Sequence, residues 1–173
     1  MMMTDLKDLC RSIPDFPKKG ILFRDITTLI QNGEKFKEVI DAIGARYLDK
    51  GIDAVVCIEA RGFIIGAALA YKLGAGIIPV RKKGKLPWRT YQCTYELEYG
   101  TDTLEIHQDA IQPGQKVVIV DDLIATGGTA GAVINLVEQL KGKIVECAFL
   151  IELTDLKGRE KIKGYPVFSL IQY

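Results

Sequence analysis

The chain has little with which to hold a transition metal. It carries one histidine, His107, and four cysteines, Cys10, Cys57, Cys93 and Cys147, widely spaced and without a Cys-x-x-Cys pair. No Cys/His cluster has zinc-ligand spacing, which argues against a protein-ligated zinc site. Cys57 and Cys147 fall inside the apolar runs at 54–58 and 145–151, so the cysteines read as buried, reduced thiols. Charge of one sign is also missing. With 23 basic and 22 acidic residues the net charge is +1, which implies neither a nucleic-acid-binding surface nor an acidic tail. No apolar stretch approaches the roughly 20 residues of a membrane span, and the N-terminus shows no signal-peptide core. The expectation is a cytoplasmic protein with no nucleic-acid or membrane partner. Neither G-x-x-x-x-G-K-[ST] nor G-x-G-x-x-G occurs, so a Walker loop and a dinucleotide fingerprint are both excluded.

What is present is enough for one globular domain with a full core: 173 residues, 48% hydrophobic and 26% charged. Leu6, Leu9 and Ile13 suggest a short helix ending before Pro14, and residues 21–23 a short extended piece. Phe36, Val39, Ile40, Ile43 and Tyr47 fall at helical spacing across 34–49, closed by Gly51. Next come a buried strand at 54–58, a turn at 59–62 and an apolar helix at 63–73 ended by Gly74. A strand at 77–81 precedes a hairpin of strands 92–99 and 103–107, joined at 100–102. The runs at 145–151 and 167–171 complete a sheet. Strands alternating with helices predict an α/β fold with a mostly parallel, twisted sheet flanked by helices. His107 ends an alternating run and reads as a sheet-surface residue without a role.

Residues 116–129, KVVIVDDLIATGGT, concentrate the chemistry. The run 117–120 is β-branched throughout without alternation, as in a parallel strand buried on both faces. Ligands of open α/β sheets bind beyond the carboxyl ends of such strands, where Asp121 and Asp122 stand. Gly127 and Gly128 let the backbone turn its N–H groups onto an anion, Thr126 and Thr129 add hydroxyls, and a helix at 130–140 points its N-terminus to the same spot. The paired carboxylates suit vicinal hydroxyls. Together the string handles a phosphorylated sugar.

This string resembles the phosphoribosyl pyrophosphate signature of the type I phosphoribosyltransferase family, and its LIATGGT form is similar to the adenine-specific branch. IPDFPKKGILFRDIT, IEARGF, VRKKGKLP, YELEYG and LKGREK resemble that branch's blocks in the right order, over nearly the whole chain. The resemblance implies a single domain over 1–173, with a small N-terminal hood inside 1–32 and a flexible hairpin lid at 82–100. It implies transfer of a 5-phosphoribosyl group to adenine, giving AMP and pyrophosphate, with Mg²⁺ held mainly by substrate near Asp121 and Asp122, in a homodimer.

The resemblance also implies roles residue by residue. Asp121, Asp122 and the turn Ala125, Thr126, Gly127, Gly128 and Thr129 would take the ribose and its 5′-phosphate. Arg61, Arg81, Lys82 and Lys85 would take the pyrophosphate; their guanidinium and ammonium groups suit phosphate oxygens. Tyr99 joins this set, and Glu98 on the lid is the catalytic candidate. Leu22, Phe23 and Arg24 would form the adenine hood, although on spacing alone Phe23 reads as core. Two departures stand out. Ala60 occupies a position commonly serine, and Trp88-Arg89 replaces variable residues, so neither receives a role. Ala125, where hypoxanthine-guanine enzymes typically carry an acidic residue, counts against a 6-oxopurine enzyme. A regulatory protein keeping only the ribose-phosphate site would need an added nucleic-acid-binding element, for which there is no room.

Overall fold

The computed structural model describes residues 4–96 and 100–173. Helix α1 (Thr4–Asp8) leads into β1 (Arg11–Pro14) and β2 (Leu22–Asp25), a two-stranded antiparallel ribbon, followed by α2 (Thr27–Ile30) and α3 (Gly33–Ala45). The chain continues through β3 (Ala54–Ile58), α4 (Arg61–Leu73), β4 (Gly76–Lys82), β5 (Thr90–Glu96), β6 (Thr101–His107), β7 (Lys116–Ile124), α5 (Gly128–Gln139), β8 (Lys143–Glu152) and β9 (Val167–Gln172). Seven strands form one sheet in the order β5-β6-β4-β3-β7-β8-β9. Strands β4, β3, β7, β8 and β9 are parallel, while β6 and β5 add antiparallel at one edge. The mostly parallel α/β sheet expected from the sequence is the fold observed.

Both faces of the sheet are covered, which is why β3 is buried at every residue. Alternation sorts the side chains. Val56, Ile58 and Ile119 join Val133 and Leu136 of α5 in one core, while Val55, Val118 and Val120 join Ile65 and Leu69 of α4 in the other. Each such side chain stabilises the fold by about 1.5–3 kcal/mol on burial. Although β3 and β7 are neighbours, the helices that follow them lie on opposite faces. The chain therefore parts in two directions at the carboxyl ends of β3 and β7, leaving a crevice between the two loops.

Several boundaries differ from the sequence expectation. Helix α1 ends at Asp8, and Ile13 sits in β1 opposite Phe23, because pairing with β2 supplies the backbone partners a longer helix would have given. Helix α3 stops at Ala45; Tyr47 reaches the core from beyond it, donating to Glu146 at 2.6 Å, and Gly51 comes later with φ 62°. Helix α4 starts at Arg61, so Arg61 and Gly62 occupy its first turn rather than a loop. Strand β7 stays paired with β8 as far as Ile124, which places Asp121 and Asp122 inside the strand instead of past its end. His107 is no plain surface residue: Trp88 lies edge-on at 6.4 Å, and His107 Nε2 is buried without a hydrogen-bond partner among the described residues. The four cysteines are unpaired; all are buried except Cys93, which is half-buried.

Candidate active site

The crevice contains a cavity of about 420 Å³. One wall is the end of β7. Asp121 and Asp122 are both buried there, and the Asp122 backbone N–H donates to Asp121 Oδ1 at 2.8 Å. Burial, reinforced by the adjacent Asp122 carboxylate, pushes the Asp121 carboxyl well above the usual carboxylate range. Gly62 permits this crowding. A Cβ at that position would lie 2.8 Å from Asp121 Oδ1 and 3.1 Å from the Val120 carbonyl.

The turn from Ala125 to Thr129 forms the floor of one end. Gly127 caps α5 with φ 82°, a left-handed conformation that favours glycine, and its Cβ position lies 2.3 Å from the Gly158 carbonyl oxygen. Gly158 in turn approaches the Ala125 carbonyl, where its own Cβ would be 2.3 Å away. The LKGREK block is thus a backing plate for the turn, a role no spacing pattern announces. Gly128 lies under β5, its Cβ position 3.2 Å from the Glu96 carbonyl, and Thr129 Oγ1 is 3.3 Å from the Tyr95 hydroxyl.

At the other end the cations are already paired. Arg61 Nε meets Asp122 Oδ2 at 2.5 Å; Lys82 Nζ meets Asp102 Oδ2 at 2.9 Å. Glu59 binds two cations, Arg81 Nε at 2.9 Å and Lys85 Nζ at 2.7 Å. Burial works to raise the Glu59 pKa, but Lys85, Arg81 and the Lys82 backbone N–H outweigh it and hold the carboxyl below its usual range. Asp102 follows the same logic, with Lys82 and the Thr103 N–H outweighing burial.

Comparison with known proteins decides the family. Residues 26–172 match the phosphoribosyl transferase domain. Adenine phosphoribosyltransferase from Trichlorobacter lovleyi is 60% identical over 171 residues, spanning 99% of this chain and 100% of that one, and the Chloroflexus aurantiacus protein of the same name is 59% identical over 173 residues, 100% of both. The crystal structure of adenine phosphoribosyltransferase from Rhodothermus marinus superposes with a TM-score of 0.95 at 51% identity, covering 99% of this chain and 98% of that one. The Saccharomyces cerevisiae enzyme, complexed with an imino-altritol bisphosphate and adenine, gives 0.92 at 45% identity over 97% of each chain. The chain belongs to the adenine phosphoribosyltransferase family.

The residues expected from the adenine phosphoribosyltransferase resemblance fall into four groups. Arg61, Lys82, Asp121, Asp122 and Ala125 through Thr129 line the cavity together. Arg81 and Lys85 do not line it; both pair with Glu59, which does. Leu22, Phe23 and Arg24 do not line it. Leu22 is 45% exposed, and the Arg24 side chain turns away to Ser12 and the Tyr173 ring. Phe23 is the link between them and the cavity: its ring packs edge-on against Phe16, with the Arg61 guanidinium 5.1 Å from its centroid. Glu98 and Tyr99 lie outside the described residues. The sequence reading missed Glu59, Asp102, Tyr95 and Gly158. Glu59, Tyr95 and Gly158 stand in blocks already singled out, and Glu59 carries the clearest signal, a carboxylate two residues before Arg61.

Proposed function

We propose that the protein transfers the 5-phosphoribosyl group of phosphoribosyl pyrophosphate to adenine, giving AMP and pyrophosphate in purine salvage. One observation carries the reading: the glycine-built turn and the buried carboxylate pair open on one cavity whose far end is lined with cations. The turn takes the 5′-phosphate, Asp121 and Asp122 accept from the ribose hydroxyls, and Arg61, Arg81, Lys82 and Lys85 take the pyrophosphate. Adenine lies against Phe23. The bond from the anomeric carbon to the pyrophosphate oxygen breaks early, the pair of electrons leaves with pyrophosphate, and a ring nitrogen of the base captures the ribose cation. Glu98 shares the imidazole proton of the purine as charge moves between base and sugar.

Charge supports a metal carried by the substrate. Four cations, Arg61, Arg81, Lys82 and Lys85, face four carboxylates, Glu59, Asp102, Asp121 and Asp122, so with all of them ionised the protein offers a diphosphate no net positive charge. Among the described residues no group of three or more His, Cys, Asp or Glu is placed to hold a metal alone. The donor set fits Mg²⁺ brought in by the diphosphate, which Asp121 and Asp122 would help to hold. When bound it supplies neutralising charge to the departing pyrophosphate.

Hood and lid complete the proposal. The β1–β2 ribbon stands apart from the main sheet as the hood within 1–32, and 82–100 serves as the lid, its strand β5 lying over Gly128. A homodimer is supported by an apolar face of α4, where Ile64, Ala67 and Tyr71 are exposed at helical spacing, Tyr71 to 91%. Among the described residues no helix is long and apolar enough to cross a membrane.

The deciding experiment incubates the protein with each purine base, phosphoribosyl pyrophosphate and Mg²⁺ and identifies the nucleotide. Adenine should yield AMP, with kcat/KM above that of hypoxanthine by about 10⁴-fold, because a 6-oxo base leaves buried polar groups unmatched. Chelating Mg²⁺ should abolish turnover. Comparable rates with hypoxanthine would contradict the adenine reading. Glu98→Gln should lower kcat about 10²–10⁴-fold with phosphoribosyl pyrophosphate binding unchanged, while Glu96→Gln, on an exposed residue of β5, should be tolerated.

A further inference from the structure

Glu59 follows the last residue of β3 and holds two cations with separate oxygens, Oε2 on Arg81 and Oε1 on Lys85. Its side chain is only 7% exposed, whereas those of Arg81 and Lys85 are 36% and 50% exposed. The carboxylate therefore grips the cations from inside while their outer faces remain open to an anion from solution. The loop they belong to has further ties. Gly84 N–H donates to Glu105 Oε2 at 3.0 Å, and Arg81 Nη1 donates to the Lys85 carbonyl at 3.2 Å.

We propose that Glu59 is an internal counter-anion that competes with pyrophosphate for Arg81 and Lys85 and thereby speeds its release. This rests on the reading above that these two cations receive the pyrophosphate end of the substrate.

The asymmetry between substrate and product follows from multivalency. Phosphoribosyl pyrophosphate is held at three points, the turn, the carboxylate pair and the cations, so its diphosphate reaches the cations at a high effective concentration and displaces a tethered carboxylate. Once the anomeric bond breaks, pyrophosphate keeps only its own contacts. Glu59, still tethered beside both cations, then retakes them. Ordering two long side chains has an entropic cost that Glu59 also relieves, which would weaken anion binding if it were lost. Two charge-assisted pairs, each about twice as strong as a neutral hydrogen bond, outweigh that contribution. Removing the Glu59 charge should therefore tighten pyrophosphate binding, not loosen it.

The test titrates pyrophosphate with Mg²⁺ into wild type, Glu59→Gln and Glu59→Asp by calorimetry at low and high salt, alongside AMP. Glu59→Gln should bind pyrophosphate about tenfold more tightly, about 1.4 kcal/mol. Its affinity should also fall more steeply with salt, because the internal ion no longer substitutes for external ones. AMP affinity should stay within about twofold. In turnover, kcat should fall and pyrophosphate inhibition deepen together. Glu59→Asp, which keeps the charge but withdraws it by one methylene, should bind pyrophosphate about threefold more tightly, and carries the test alone if the glutamine variant does not fold. Unchanged or weaker pyrophosphate binding, with only a lowered Tm, would make Glu59 a structural brace and overturn the proposal. If no base yields a nucleotide with wild type, the proposed reaction falls separately, and the pyrophosphate titration still decides what Glu59 does.

Discussion

In the proposed reaction the two ends of the cavity would hold anions by opposite means. At the turn proposed for the 5′-phosphate the candidate ligand groups are backbone N–H groups and hydroxyls, held by the close approach of Gly127 and Gly158 and needing no formal charge. At the pyrophosphate end every cation is a side chain already engaged by a carboxylate. On the proposed reading the first end is built in advance and merely filled, whereas the second must exchange one anion for another. That division matches the reaction, since the 5′-phosphate stays on the sugar from substrate to product while pyrophosphate must leave.

Breaking the prebuilt end should have the larger effect. Gly127→Val forces a branched side chain into φ 82° and against the Gly158 carbonyl, 2.3 Å from the Cβ position. AMP affinity by calorimetry should fall at least 100-fold, about 2.8 kcal/mol. Gly128→Val meets a looser neighbour, the Glu96 carbonyl at 3.2 Å, and should lose at least tenfold, about 1.4 kcal/mol. An intact protein with unchanged AMP affinity in either case would remove the turn from the site.

The exchangeable end should respond less. Lys85 is half exposed, and exposed ion pairs contribute about 0.2–1 kcal/mol. Lys85→Gln should raise KM for phosphoribosyl pyrophosphate only about three- to fivefold and leave AMP binding unaltered. A parallel loss of AMP affinity would mean that the two ends are not independent.

The same contrast explains what could be read without coordinates. The turn was legible because backbone demands leave marks in residue type: β-branched residues at 117–120, then Gly127 and Gly128. The strand order was legible only as a class, since alternation of strands and helices does not say that β7 pairs with β3. The partners of the cations were not legible at all. Asp102 reaches Lys82 only because β6 adds antiparallel to β4, and Gly158 backs the turn across a long stretch of chain. Such contacts depend on tertiary placement, and local sequence carries no period or spacing that records them. The end of β7 is not legible for a related reason: pairing with β8 extends the strand through two aspartates that local propensity would put in a loop.

The smallest expected effect concerns the carboxylate pair between the two ends. Asp121 is buried against Asp122, and its folded pKa lies above the value of about 3.8 expected when unfolded. Between those two values the folded state binds more protons than the unfolded one, so stability must fall as pH rises through that window. The stabilisation is fully present below the unfolded pKa and is gone above the folded one. Asp121→Asn removes the titration yet keeps an oxygen able to accept from the Asp122 N–H, now 2.8 Å away. The variant should therefore match wild type near pH 4 and melt about 2–4 °C higher at pH 7, equivalent to roughly 1 kcal/mol for a domain of this size. Ribose binding should weaken at the same time, because an amide offers a poorer acceptor to the sugar hydroxyls than a carboxylate does. A variant that melts lower than wild type at pH 7 would show that Arg61, through Asp122, already compensates the pair, and that the crevice carries no electrostatic strain at its centre.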